Sequence, residues 1–244
     1  MRPQMYSVEP QRNLFAPIYL RFVIGAFALI LLIASVAPGR AAPTDTSTAD
    51  PMAELKSAIS EAIALFQNQS MPLTQRREKL RDLAMRRFDF AVMARSVLGY
   101  HWRELSADQR SQFVPVFAGF IQDAYLSKLR DYTVQKVQQE VQTLNIQYTR
   151  ETFDGPDYAQ VNTSVRLQEQ KDPVQVNYLM HLDGGHWRIY DVTIDAISVI
   201  ANYRNQFNRV INSNGYDQLV ADLKSKQQQF RQTLDQPDSS APPH

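Results

Sequence analysis

From Met52 onward the apolar positions follow a helical beat. Met52, Leu55, Ile59, Ile63 and Phe66 recur at intervals of three and four, which places them on one face. Asp50-Pro51 just ahead of them is a start signal. The acid can accept from the first free N–H groups, and proline suits the first helical position because no N–H is needed there. Thr74 is the expected cap of a second helix with Leu80, Leu83 and Met85 as its apolar positions. Arg76, Arg77, Glu78, Lys79, Arg81 and Asp82 make its other side a solvated charge run. Asp89 is placed to cap a short helix that ends near Leu98-Gly99. Ser106 and Gln109 stand at the spacing of a capping box and open a helix reaching about Leu129. Its stripe is wide: Phe113, Phe117, Phe120, Ile121, Ala124 and Tyr125. Pro115 lies inside it, removes a backbone donor and predicts a bend.

The beat then shortens to two. Residues 142–150 set Leu144, Ile146 and Tyr148 on one face of a strand. After the turn Asp154-Gly155-Pro156-Asp157, residues 158–169 do the same with Val161, Val165 and Leu167. Residues 174–182 align Val174, Val176, Tyr178, Met180 and Leu182. Asp183-Gly184-Gly185 is a hairpin turn, and residues 186–194 form the fourth strand. That hairpin admits two registers. A two-residue loop pairs Met180 with Ile189 and sets Tyr178 beside Asp191. One bulged residue instead pairs Met180 with Tyr190 and Tyr178 with Val192, which buries the better set and is the favoured reading. Two helices close the pattern, striped by Ile200, Tyr203, Phe207, Val210 and Ile211, and then by Leu219, Leu223 and Phe230, with Asn214-Gly215 between them.

Helices, then four consecutive strands, then helices predict an α+β domain. A four-stranded twisted antiparallel meander is packed by the N-terminal and C-terminal helices, a roll resembling the nuclear-transport-factor-like fold. The expected domain is single and covers residues 51–232. Residues 42–50 read as a flexible leader and residues 233–244 as a disordered tail.

Residues 22–37 form an uncharged apolar run preceded by Arg2, Arg12 and Arg21. That is the layout of a secretory signal, with residues 1–41 removed after Ala41, or of an uncleaved anchor somewhat shorter than a spanning helix. Either outcome exports the body. Among all 244 residues, 44% are hydrophobic and 21% charged, an ordinary globular profile. The net charge of +1 hides an asymmetry. Four of 26 basic residues and one of 25 acidic residues lie in 1–41, leaving 22 against 24 in the rest. A body so near neutrality has no electrostatic footprint for a nucleic-acid backbone.

With no cysteine there is no disulfide, thiolate metal site or thiol nucleophile. The four histidines, His101, His181, His186 and His244, show no metal-ligand spacing. No Gly-x-Ser-x-Gly elbow and no phosphate loop is present. Asp191 and Asp195 are the one carboxylate pair worth weighing as acid and base. The plainer expectation makes Asp191 a strand acid bonded to Arg or Tyr, and Asp195 a turn or cap residue.

Two blocks are more specific. Residues 88–121 read FDFAVMARSVLGYHWRELSADQRSQFVPVFAGFI, and residues 185–226 read GHWRIYDVTIDAISVIANYRNQFNRVINSNGYDQLVADLKSK. The elements FDF–M–R–LG–HWR, S-x-x-QR–F, W-R-I-Y-D-V–I–S–NYR–QF and G-x-D-x-L resemble, in order, those of the MlaC family of toluene-tolerance periplasmic lipid-binding proteins. The chain departs from that pattern at Pro115 and at Ala196, where a glycine is often found.

The resemblance implies a non-enzymatic, monomeric carrier in the periplasm of a Gram-negative bacterium. Its cargo is a phospholipid rather than a cofactor. Its partners would be an inner-membrane ABC lipid transporter complex and an outer-membrane lipoprotein–porin complex, and the function the maintenance of outer-membrane lipid asymmetry. The acyl chains are expected in an apolar pocket between sheet and helices. The residues expected to line it are Phe117, Phe120, Ile121 and Tyr125 from the Pro115 helix. The sheet adds Tyr148, Val165, Val176, Tyr178, Met180, Tyr190 and Val192, and the closing helix Ile200, Tyr203 and Phe207. Two alternatives stand beside this: a hopanoid-type lipid, and a small-molecule enzyme on the same roll using Asp191.

Overall fold

The computed structural model describes residues 50–68, 70–130, 145–166 and 172–235. Helices α1 (Pro51–Gln67), α2 (Leu73–Arg87), α3 (Phe90–Leu98), the single turn α4 (His101–Glu104) and α5 (Ala107–Arg130) come first. Strands β1 (Asn145–Phe153), β2 (Tyr158–Arg166), β3 (Val174–Asp183), β4 (His186–Ile194) and β5 (Ile197–Ser198) follow. Helices α6 (Val199–Asn214) and α7 (Tyr216–Asp235) complete the order. The apolar run and leader at the N-terminus, Leu144, Leu167 and the tail beyond Asp235 lie outside the described residues. Helix α7 carries order three residues past the expected limit at 232, with Leu234 buried.

The helix starts follow side-chain chemistry. Asp50 Oδ1 accepts from the N–H groups of Met52 at 2.8 Å and Ala53 at 3.2 Å. Asp89 Oδ1 accepts from Val92 N–H at 2.9 Å. The capping box is reciprocal: Gln109 N–H donates to Ser106 Oγ at 3.1 Å, and Ser106 N–H to Gln109 Oε1 at 2.9 Å. Helix α2 departs from expectation. It starts after Pro72, with no side-chain cap, so Thr74 does not cap it. Arg76 is buried instead of solvated, because its Nη2 folds back to donate to the carbonyls of Asn68 at 2.6 Å and Met71 at 3.2 Å. Met85, expected on the apolar side, is exposed. Helix α5 runs through Pro115 as one helix.

The sheet order is β1-β2-β3-β4-β5, antiparallel throughout. The fifth, two-residue strand was not expected. It exists because Asp195 and Ala196 turn the chain sharply at φ 46° and 67°, so that Ile197 pairs back with Ile194 and Ser198 with Thr193. Ala196 thus holds a left-handed conformation that glycine adopts more easily. Asp195 Oδ1 accepts from Gln175 N–H at 3.0 Å and fastens that corner to the start of β3.

Both registers of the last hairpin occur, one in each half. Gly184 and Gly185, at φ 58° and 84°, build a two-residue loop, and Met180 pairs with Ile189. A bulge at Tyr190 then shifts the phase, and Tyr178 pairs with Val192. The favoured register is therefore right for Tyr178 and wrong for Met180. Turn chemistry sets the tip, while burial of Val192 and Ile194 sets the far half. The other edge of β4 takes up the chain ahead of α3, where Asp89 N–H donates to Ile189 O at 2.8 Å.

Two cores result. The inner sheet face, with Val161, Val165, Val176, Tyr178, Met180, Ile189, Val192 and Ile194, packs under Leu55, Ile59, Ile63 and Phe66 of α1. Helices α3, α5, α6 and α7 enclose the second, around Phe113, Phe117, Phe120, Phe207, Leu219 and Leu223. Helix α7 approaches α5 closely at Gly119, where a Cβ would sit 2.2 Å from Gln227 Nε2.

Candidate functional site

The two cores do not close on each other everywhere. Between them lies an apolar cavity of about 120 Å³. Helix α1 supplies Leu55, Ala58, Ile59, Ala62 and Phe66, positions three and four apart that share one face. Helix α2 supplies Leu80, Leu83, Ala84, Arg81 and Arg87. Phe88, Phe90 and Met93 enter from around α3, and Ile121, Gln122, Tyr125 and Leu126 from α5. The sheet gives Tyr178, Ile189, Asp191 and Val192, and the first turn of α6 gives Val199 and Ile200.

The ionic groups of this lining are tied into the walls. The Arg87 guanidinium bridges α2 to α1: Nη1 meets Glu54 Oε2 at 2.6 Å, and Nη2 donates to Ser57 Oγ at 3.1 Å. Glu54 Oε1 also lies 3.0 Å from His186 Nδ1, which joins the pair to the start of β4. Arg81 is paired with Asp123, a fully buried acid of α5. Asp123 Oδ2 also accepts from Arg231 Nε at 2.7 Å and Gln227 Nε2 at 3.0 Å, both from α7.

Asp191 is a structural hub, although its partners are not the Arg or Tyr expected. Its Oδ1 accepts from Val192 N–H at 2.8 Å and Ile200 N–H at 3.1 Å, and its Oδ2 from the Ser198 hydroxyl at 2.5 Å. Ser198 Oγ in turn caps α6 by accepting from Ala201 N–H at 2.9 Å. Burial raises the Tyr125 hydroxyl well above its ordinary range, with Tyr203 and Asp191 adding to it. Burial raises Tyr178 as well, with a smaller addition from Tyr148. Both phenols are therefore neutral at physiological pH. Among the described residues no group of three or more His, Asp or Glu side chains is placed to hold a metal ion. What the lining offers a ligand is apolar surface with a few oriented polar groups at its margin.

Of the residues anticipated from sequence, Ile121, Tyr125, Tyr178, Val192 and Ile200 are brought together at the cavity. Phe117, Phe120 and Phe207 lie in the all-helical core, with Phe117 edge-on to Phe207 at 6.3 Å and Phe120 edge-on to Tyr203 at 5.9 Å. Burial pushes the Tyr203 hydroxyl up to about 12. Val165, Val176 and Met180 are buried under α1 away from the cavity. Tyr148 is half-buried at the sheet edge with Lys56 Nζ 4.9 Å above its ring. Tyr190, the bulged residue, packs edge-on against Tyr158 at 5.9 Å. The walls contributed by α1 and α2 were missed. Their stripes were visible, but a stripe marks only a buried face, and the other side of α2 read as a solvated charge run.

An apolar cavity walled by helices and one face of an antiparallel sheet, in an α+β domain, is the kind of concave site at which ligands bind. A family model described as MlaC protein matches residues 56–225, so the chain belongs to the MlaC family. The intermembrane phospholipid transport system binding protein MlaC of Haemophilus influenzae is 22% identical over 135 residues, which are 54% of this chain and 59% of that protein. The match thus spans under two thirds of that relative's length. A solved phospholipid-binding protein from Ralstonia solanacearum, in complex with a phospholipid, superposes with a TM-score of 0.61. It is 22% identical and covers 75% of this chain and 99% of its own, which establishes the shared fold.

Proposed function

We propose that this protein is a periplasmic carrier of phospholipid, loaded through the cavity between its two cores. It would shuttle its cargo between an outer-membrane lipoprotein–porin complex and an inner-membrane ABC transporter complex, and so maintain lipid asymmetry. The observation that carries the reading is the cavity itself: an almost wholly apolar space in a chain of the MlaC family. The relatives named above, one described as a phospholipid transport component and one solved with a phospholipid, support the same reading.

The physical need is plain. Each CH₂ exposed to water costs about 0.8 kcal/mol, so an acyl chain of about 16 carbons costs about 13 kcal/mol to move unprotected. A cavity of about 120 Å³ is near the size that holds one benzene-like ring and is far short of two acyl chains. Loading therefore needs the α1–α2 wall to part from the sheet. No acid–base step is needed, and Asp191, engaged by three donors, serves the architecture.

The test is native mass spectrometry with lipid extraction, on protein from a bacterial host and after incubation with phospholipid vesicles. A one-to-one phospholipid adduct is expected. Protein that emerges empty and stays empty after incubation overturns the reading. Selective retention of a hopanoid-type lipid would move it to the other ligand class.

A further inference from the structure

The cavity has an imbalance among its few polar atoms. Arg87 Nε and Gln122 Nε2 are buried without a hydrogen-bond partner among the described residues, and both residues line the cavity. Arg87 spends its outer nitrogens on Glu54 and Ser57 of α1, which leaves the inner Nε–H unmatched. Gln122 sits on α5 beside Asp123, whose carboxylate is already shared by Arg81, Gln227 and Arg231. The Asp191 carboxylate at the same cavity is likewise engaged by Ser198, Val192 and Ile200. The buried atoms left unmatched at this cavity are thus both N–H donors. Buried donors of this sort are expensive unless something answers them. In the lining of an apolar cavity the natural answer is an acceptor on the ligand.

We infer that Arg87 Nε and Gln122 Nε2 read the ester carbonyl oxygens of a glycerolipid, and so select ester-linked diacyl lipids over hydrocarbon-like or ether-linked ones. This deepens the carrier reading and rests on it. A carbonyl fits better than a phosphate for two reasons. The two nitrogens are shielded from solvent, where a hydrated anion loses its water, and the Arg87 charge is already balanced by Glu54. The glycerol ester region is also the one part of the lipid that lies between an apolar cavity and a solvated headgroup.

The test compares two probes on the full-length protein. One is a diacyl phosphatidylethanolamine. The other is its di-O-alkyl ether analogue, with the same headgroup and chain length but no carbonyls. Delipidated protein is loaded from vesicles of each, and retained lipid is counted by native mass spectrometry in competition. The unaltered protein is expected to favour the diester about fivefold to tenfold, the worth of one or two hydrogen bonds. Gln122→Met keeps the volume and removes one donor. Arg87→Lys keeps the charge opposite Glu54 and removes the other. Each is expected to reduce the preference, and the pair together to bring it below about twofold, while total lipid retained stays measurable. Equal retention of diester and diether by the unaltered protein overturns the inference and leaves the carrier reading standing. So does a preference that survives in the double variant. Failure to retain either probe overturns the carrier reading itself. The comparison on the unaltered protein decides the matter even if a variant does not fold.

Discussion

Filling the cavity separates a binding space from an imperfect core, because stability and lipid loading should then move in opposite directions. Ala62 is buried on α1 and lines the cavity. A void of about 120 Å³ forfeits about 3 kcal/mol relative to a filled core, at ~24 cal/mol per Å³. Ala62→Leu adds three carbons, and at about 0.8 kcal/mol each the gain is up to about 2 kcal/mol if they enter the void without strain. Leucine and alanine are both good helix formers, so α1 itself is little affected. For a domain of this size that gain raises the melting temperature by about 4–8 °C. The assay is thermal and urea unfolding of delipidated protein, paired with phospholipid retention after vesicle loading. The variant should melt higher and retain clearly less lipid. A lower melting temperature with unchanged retention would refute the reasoning, since Ala62 would then abut packed atoms and lipid would lodge elsewhere.

Three further expectations concern the frame around the cavity. Asp123→Asn leaves Arg81 and Arg231 without their buried counter-charge and should cost about 1–3 kcal/mol in urea unfolding, less than a fully buried pair because both arginines are partly solvated. Ala196→Gly relieves a left-handed backbone at φ 67° and should add about 1 kcal/mol to stability, read as a shift in urea midpoint. Glu151 accepts from Met52 N–H at 2.8 Å, while burial chiefly, and Asp50 in addition, raise its carboxyl above the ordinary 4.5. A raised acid binds its proton more tightly in the folded state. Its contribution is therefore full below pH 4.5 and is lost as pH rises through the folded value. Glu151→Gln should flatten that fall. The melting temperature of the variant relative to the unaltered protein should climb between pH 4 and pH 7, and a difference constant across that range would exclude the effect.

Much of the fold was legible because local chemistry carries it. Asp50, Asp89 and Ser106 with Gln109 mark helix starts through hydrogen bonds to residues two or three away, and such signals survive in one dimension. Alternation placed the four main strands, and the paired glycines the last hairpin. The misreadings share a cause. Thr74 failed as a cap because Pro72 begins the helix earlier, and Arg76 is buried because carbonyls of its own loop reach it. The cavity was only partly legible for a deeper reason. A stripe shows which face is buried, but not whether another face meets it completely. Phe117 and Phe207 meet edge to face in the helical core, whereas Ala58, Ala62 and Ala84 put short side chains on the cavity wall.

The bulge at Tyr190 also governs how this chain tolerates changes of length. It is the single residue by which the two halves of β4 differ in phase. Deleting it is a trim at one site, since the ladder on either side pairs without it. Asp191, Val192 and Ile194 would keep their partners Leu179, Tyr178 and Val176, now in regular alternation after Ile189, with Val192 and Ile194 still under α1. The carboxylate that Ser198 and Ile200 need at the start of α6 would stay opposite Leu179. Insertions at Gly184-Gly185 leave both phases intact. Tip and bulge are thus the two places where this hairpin can absorb a change of length, and a length-variant library through residues 183–194 should recover folded members both with loop insertions and without Tyr190.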